Sequence, residues 1–306
     1  MSITNEIVIN LAKEYGFNLV GFAKADILVD EINHLKEWLA KGYHASMGYM
    51  ERNIEKKQDV KNILPSAVSV ISLGINYYND VNYSDETDKG KISRYALSYD
   101  YHNVIEDKLK LMMQELKEID ETFEYKYYVD SGPTMDKAWA VKSGLGWLSK
   151  NTNVINPEIG SWFFITNIIT NKKFNYNNII TDHCGTCTAC IDACPTEAIT
   201  PYQVNANRCI SFLTIENKGD ISEEFSGKMN NWIFGCDICQ EVCPWNNKFS
   251  VVSKTKDFFS TENEIDLQSV MNMGQKEFSA KYKNSPIKRS KLKGLQRNAE
   301  FVLKRS

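Results

Sequence analysis

Cysteine is missing from the first 183 residues of this chain and from everything after residue 243. All eight cysteines fall inside one window, residues 184–243. A disulfide framework is not expected, because 306 residues bury enough core to stand without staples. Long apolar runs are also missing: no stretch approaches the roughly 20 residues that cross a membrane. The start, MSITNEIVINLAKEYGF, has acidic residues and no apolar signal core, so a cytoplasmic protein with no membrane partner is expected. The net charge of -3 lacks the positive excess of a wholesale nucleic-acid binder, yet it allows a local basic patch. Neither G-x-G-x-x-G nor a P-loop occurs, and SGLGW is not a substitute, which removes the usual warrant for a nucleotide site. No tandem repeat is evident.

What the window contains is specific. It reads CGTCTACIDACP, then a single Cys209, then CDICQEVCP. The first run is C-x2-C-x2-C-x3-C-P, the bacterial ferredoxin spacing for cubane clusters, whose fourth cysteine points to a second cluster. The second run lacks one cysteine, and Cys209 supplies it. The count closes as Cys184, Cys187, Cys190 and Cys243 for cluster one, and Cys194, Cys209, Cys236 and Cys239 for cluster two. Thiolates are soft anionic donors that suit iron. Four-cysteine zinc sites also use C-x2-C pairs, but two interleaved C-x3-C-P endings speak for iron–sulfur.

Apolar periodicity predicts a helix over residues 5–15 ended by Gly16, a strand over 17–23 and a helix over 32–41. Residues 42–53, GYHASMGYMERN, read as a packed surface loop. SVISLGINYY, residues 69–78, is apolar almost throughout and reads as an inner strand. Residues 79–91 read as an exposed acidic loop. A helix capped by Asp100 or Asn103 runs past Leu116. Residues 124–129 alternate like a strand and deliver Asp130 to its end, ahead of a helix over about 134–143. Strand-end acids often border a ligand crevice. A Gly-rich loop and another strand precede the cysteines. From Thr261 the chain reads as helical, and Lys281, Lys283, Lys288, Arg289, Lys291, Lys293, Arg297, Lys304 and Arg305 make it basic. Such a run is either a frayed, solvated tail or a phosphate-binding surface.

NILPSAVSVISLGINYY, ISRYALSYDYH, YYVDSGPTMDKAWAVKSGLGWLSKN, the PEIGSWFF turn and the cysteine array occur in that order. The combination resembles the epoxyqueuosine reductase family, over the chain as far as about residue 300. The resemblance implies an α+β fold. A nitroreductase-like, cobalamin-binding α/β domain (1–175) would precede a ferredoxin-like domain with two [4Fe-4S] clusters (176–250) and a basic helical segment (251–306). Members usually continue into helical repeats, and this sequence ends where those begin. The implied reaction reduces the epoxide of epoxyqueuosine at the tRNA wobble position to queuosine. It uses cob(I)alamin, bound with its base displaced, and electrons relayed by the clusters. The implied partners are epoxyqueuosine-bearing tRNA, at its anticodon region, and a low-potential donor such as a flavodoxin or ferredoxin.

Carried over by position, Asp130 is the proton donor, and Tyr101, His102 and Lys137 line the same pocket. Lys57, Ser93, Asp130, Asn151, Val154 and Ile165 fall at cobalamin-contacting positions, and Ser211 and Asp237 lie beside cluster cysteines, facing the corrin. DYH begins like the cobalt-binding D-x-H-x-x-G, but Ile105 takes the glycine position. His34, His44 and His183 stand in no such pattern, so a cobalamin without a protein lower ligand is expected. Opening an epoxide to an alkene needs a protonated leaving oxygen, which a carboxylic acid supplies if desolvation raises its pKa. Lys137 would pull the other way at close range. Two other readings share features: a reductive-dehalogenase-like cobalamin enzyme acting on a small molecule, and a non-catalytic two-cluster electron carrier. The carrier has no use for Asp130.

Overall fold

The Thr4 hydroxyl accepts a hydrogen bond from the Ile7 amide and so caps α1 (Asn5–Glu14), which stops short of Gly16, where φ is 87°. The computed structural model describes residues 2–260 and 262–304. Thr261 and Arg305, both part of the expected basic helical end, lie outside the described residues. After α1 come β1 (Leu19–Lys24), α2 (Val29–Ala40), α3 (Ile54–Gln58), β2 (Ser69–Asn76) and β3 (Lys89–Ile92). Asp100 caps α4 (Tyr101–Ile119), its carboxylate accepting from the His102 amide. β4 (Tyr125–Val129) leads through Asp130 to α5 (Asp136–Lys142). β5 (Trp147–Leu148) and β6 (Val154–Ile155) pair before β7 (Phe163–Thr170).

The cysteine-bearing part holds α6 (Ala189–Asp192), β8 (Ile199–Thr200), β9 (Gln203–Val204), α7 (Ile210–Ile215), β10 (Trp232–Phe234), α8 (Ile238–Glu241) and α9 (Pro244–Phe249). β11 (Glu264–Asp266), α10 (Leu267–Asn272), α11 (Gln275–Lys281) and α12 (Lys291–Leu303) complete the chain. Among the described residues no helix is long and apolar enough to cross a membrane.

The main sheet runs β1-β2-β7-β4, antiparallel at every pair. Every residue of β2 is buried, as its apolar run requires of an inner strand. Ile71, Leu73 and Ile75 point to one face and pack on α1 and α4. Val70 points to the other and joins Ile32 and Leu35 of α2 and Trp139 of α5. β4 is one of the two edges of the sheet, so the chain leaving it is free to turn into a crevice.

A second sheet corrects two expectations. β3 forms where an exposed loop is expected, and β11 forms where the chain is expected to be helical. β3 is the middle strand, parallel to β10 and antiparallel to β11. Lys89 and Lys91 alternate with the buried Gly90 and Ile92, so only one face of β3 meets the core. That core gathers Ile92 with Trp232, Ile233 and Phe234 of β10, and with Leu295, Ala299 and Val302 of α12. The basic end is therefore not a frayed tail. It folds against the cysteine-bearing part, and the guanidinium of Arg297 donates to the carbonyls of Leu213 and Asn217, both at 2.8 Å.

Candidate active site and cluster cysteines

Asp130 leaves β4 at φ 59°, a left-handed conformation that aspartate tolerates better than most side chains. The Ser131 amide donates to the Val129 carbonyl at 2.6 Å and tightens the turn. Gly132 is required beside it, because a Cβ there would lie 2.1 Å from the Tyr128 ring. So turned, the carboxylate meets the start of α4. Tyr101 donates its hydroxyl hydrogen to Oδ2 of Asp130 at 2.6 Å. Nε2 of His102 lies 3.6 Å from the same oxygen, and Nη1 of Arg289 lies 3.9 Å away. Asp100 closes the group, its Oδ1 2.7 Å from Nδ1 of His102. The Tyr101 ring stacks on Phe164 with centroids 4.2 Å apart, which fixes where its hydroxyl points.

The charges around Asp130 differ from those expected. Desolvation pushes its pKa up, as a proton donor needs. A protonated His102 beside it, the hydrogen bond from Tyr101 and the charge of Arg289 outweigh that and lower it to about 2. The side chain is 53% exposed, so the cleft reaches it directly. Its cationic neighbour is Arg289, from the basic end. The Lys137 ammonium instead donates to the Thr152 carbonyl at 2.9 Å, on the border of the same cleft. Asp136 was not singled out by its sequence context, though an acid opening a helix beside VDSGP offers a weak signal. Burial lifts its pKa to about 7, against hydrogen bonds from Asn167 and Thr134. Both donate to Oδ1, at 2.7 and 2.9 Å.

Asp130, Asp136, Lys137, Glu216 and Arg289 border two adjoining hollows. One, about 510 Å³, is walled by Tyr77, Tyr95, Tyr101, Phe163, Phe164 and Phe212 and reaches Ile165, Cys209 and Ser211. The other, about 700 Å³, is bordered by Tyr49, Arg52 and Lys57. Lys57 is buried, and its ammonium donates to the carbonyls of Met50 at 2.7 Å and Arg52 at 2.9 Å. It thereby makes the loop over residues 42–53 a wall of the cleft. Of the residues expected to contact cobalamin, Lys57, Asp130, Ile165 and Ser211 line these two hollows. Ser93, Asn151, Val154 and Asp237 are buried outside the lining of the two hollows. Ser93 donates to the Asp237 carboxylate, and Asn151 donates to the Cys239 carbonyl at 3.0 Å. Burial raises the Asp237 pKa to about 6, with Arg94 opposing.

None of the eight cysteines pairs in a disulfide. Cys184, Cys187, Cys190 and Cys243 line one cavity of about 220 Å³. Burial raises the pKa values of Cys209, Cys236 and Cys239, and neighbouring thiols raise them further. Cys194 acts on Cys209, Cys209 acts on Cys236, and Cys209, Cys190 and Cys194 act on Cys239. Thiols that suppress one another's ionisation this way become thiolates only round added positive charge. Among the described residues no three His, Cys, Asp or Glu side chains close round a single metal ion. The buried indole N–H of Trp147 has no hydrogen-bond partner, and its ring packs against Cys184 and Cys243. A donor of that kind suits an anionic sulfur cage.

Two family models match the chain. Residues 183–246 match the 4Fe-4S double cluster binding domain, and residues 57–131 match epoxyqueuosine reductase QueG. An epoxyqueuosine reductase of Leadbetterella byssophila is 48% identical over 292 residues, covering 95% of this chain and 95% of that protein. One from Cyclobacterium marinum is 42% identical over 299 residues, covering 97% and 96%. A solved epoxyqueuosine reductase with a tRNA-Tyr epoxyqueuosine-modified stem loop superposes with a TM-score of 0.90 at 34% identity, over 97% of this chain and 80% of that one.

Proposed function

The chain belongs to the epoxyqueuosine reductase family, and from that premise we propose that it reduces the epoxide of epoxyqueuosine in tRNA to the alkene of queuosine. The reaction takes two electrons and two protons and releases the epoxide oxygen as water. One observation carries the reading: the Asp130 carboxylate and, through Cys209 and Ser211, the cysteine-bearing part open on one aromatic-walled cleft. Cys184, Cys187, Cys190 and Cys243 hold one [4Fe-4S] cluster, and Cys194, Cys209, Cys236 and Cys239 hold the other. The adjoining hollows, with their aromatic walls and the polar rim at Lys57 and Asp130, would hold cobalamin. When bound, the clusters supply single electrons and the cobalamin a strong cobalt nucleophile.

The chain's own residues manage the proton. Asp130 delivers it from Oδ2 to the departing oxygen, and Tyr101 aims that oxygen by its hydrogen bond. In the open cleft Asp130 is ionised at neutral pH. A substrate that covers its exposed half removes water, and the desolvation already present then counts for more. Lys288, Lys291 and Lys293 are exposed on either side of Arg289 and suit the phosphates of the RNA. The catalytic part is assigned to residues 1–175, the two-cluster part to 176–250 and the basic segment to 251–306, with electrons arriving from a low-potential carrier.

The test is turnover of epoxyqueuosine-bearing tRNA by the cluster- and cobalamin-loaded protein with reductant in excess, read by mass spectrometry of the released nucleosides. The protein should produce queuosine. Asp130→Asn should keep its iron, corrinoid and tRNA affinity and lose turnover by about 10² to 10⁴, the usual worth of general-acid assistance. Turnover near the parent rate would remove Asp130 as the acid.

A further inference from the structure

Arg289 and His102 are 187 positions apart in the chain, yet they touch. Arg289 sits on a basic turn, Pro286–Ser290, in which Pro286, Ile287 and Ser290 are buried. The same segment is tied to the start of α4, because the Asp100 amide donates to the Asn284 carbonyl at 2.6 Å. From this anchored turn, Nη2 of Arg289 reaches Nε2 of His102 at 2.8 Å. A guanidinium has only donors, so Nε2 accepts. On the other side Nδ1 lies 2.7 Å from Oδ1 of Asp100, an acceptor, so Nδ1 carries the ring hydrogen. While the guanidinium stands at Nε2 the imidazole is in its neutral form. Protonating it would add a hydrogen at Nε2, where the guanidinium already stands.

We propose that Arg289 is a positioning residue for the His102–Asp130 pair: its guanidinium and a proton compete for Nε2 of His102, and withdrawal of Arg289 lets His102 take a proton and pass it to Oδ2 of Asp130. The inference rests on the reading of Asp130 as the acid. In the transfer the Nε2–H bond breaks, an O–H bond forms on Asp130, and the ring returns to neutral. The distance to be closed is 3.6 Å. The groups facing the pair are Asp100 at Nδ1, Tyr101 at Asp130, and Arg289 between them. Tyr49 and Tyr95 also sense the Asp130 charge, as do Asp136 and Lys137 across the cleft, and Glu216 borders it. Burial opposes the imidazolium, Asp100 and Asp130 favour it, and Arg289 opposes it; the carboxylates prevail and raise the His102 pKa. The ring is thus ready to protonate once its Nε2 is freed. Arg289 has room to leave, since its side chain is 43% exposed and borders both hollows.

The chain has four histidines, so the nitrogen-15 signals of its imidazoles can be assigned by comparison with His102→Gln. The sample is the holoprotein with both clusters in their oxidised, diamagnetic state. At neutral pH His102 should carry its hydrogen on Nδ1. Arg289→Ala should raise its titration midpoint by at least about one pH unit, as removal of an adjacent cation does. Arg289→Lys, which keeps a charged donor, should raise it less. The alkaline limb of the turnover profile should move up with the midpoint in Arg289→Ala. An unmoved midpoint and an unchanged tautomer in folded, iron-replete Arg289→Ala would overturn the proposal. Failure of the acid reading looks different: Asp130→Asn would keep its turnover while the effect of Arg289 on the His102 titration persisted.

Discussion

Asp130 and Asp136 border one cleft and are driven in opposite directions, the first to about 2 and the second to about 7. For Asp136 the cause is burial, so the folded chain binds that proton more tightly than the unfolded chain, whose ordinary value is 3.8. The resulting stabilisation is complete below about pH 4 and is lost as the pH rises to about 7. Asp136→Asn removes the titration and keeps an oxygen to accept from Asn167 and Thr134. Its apparent Tm should gain on the parent between about pH 4 and pH 7, with the difference level above that. Parallel Tm curves across this window would mean that burial does not hold the proton. At this scale legibility depends on local pattern. VDSGP and DYH mark Asp130, Tyr101 and His102 because each stands in a short motif. Arg289 stands in a run of lysines with nothing local to separate it from them, and only tertiary packing sets it on His102. The low pKa of Asp130 is hidden for the same reason, since the groups that depress it come from α4 and from the far end of the chain.

β2, β7, α1 and α4 are legible because their apolar periods extend over many residues. β3 is not: KGKI has two lysines, a glycine and one apolar residue, and it becomes a strand only because β10 and β11 offer it edges. Its glycine is fitted to that place. A Cβ on Gly90 would lie 2.5 Å from Cδ1 of Ile233 and 2.7 Å from Cδ2 of Leu267. Gly90→Val raises strand propensity and still should lower the apparent Tm, because overpacking a filled core typically costs about 1 to 3 kcal/mol. A higher Tm would show that Ile233 and Leu267 yield to it. β11, only EID, is equally silent in sequence.

For the whole molecule, the basic end divides into cations that hold the fold and cations that face solvent. Arg297 belongs to the first kind, with its guanidinium on backbone carbonyls, whereas Lys288, Lys291 and Lys293 are exposed. Replacing these three lysines with Ala should leave the fold intact and weaken tRNA binding. The slope of log K against log salt should become shallower by about 2, from about 0.7 per lost contact to a single strand. An unchanged slope would mean that they do not meet phosphate. The two expected domains and the basic segment also share one sheet and one core, which has a consequence for how the protein is made. On the ribosome β3 appears early and waits for both of its partners, and non-local pairing of this kind is slow to form. All eight thiols are translated before β11 emerges. Closure of that sheet therefore follows synthesis of the last cysteine.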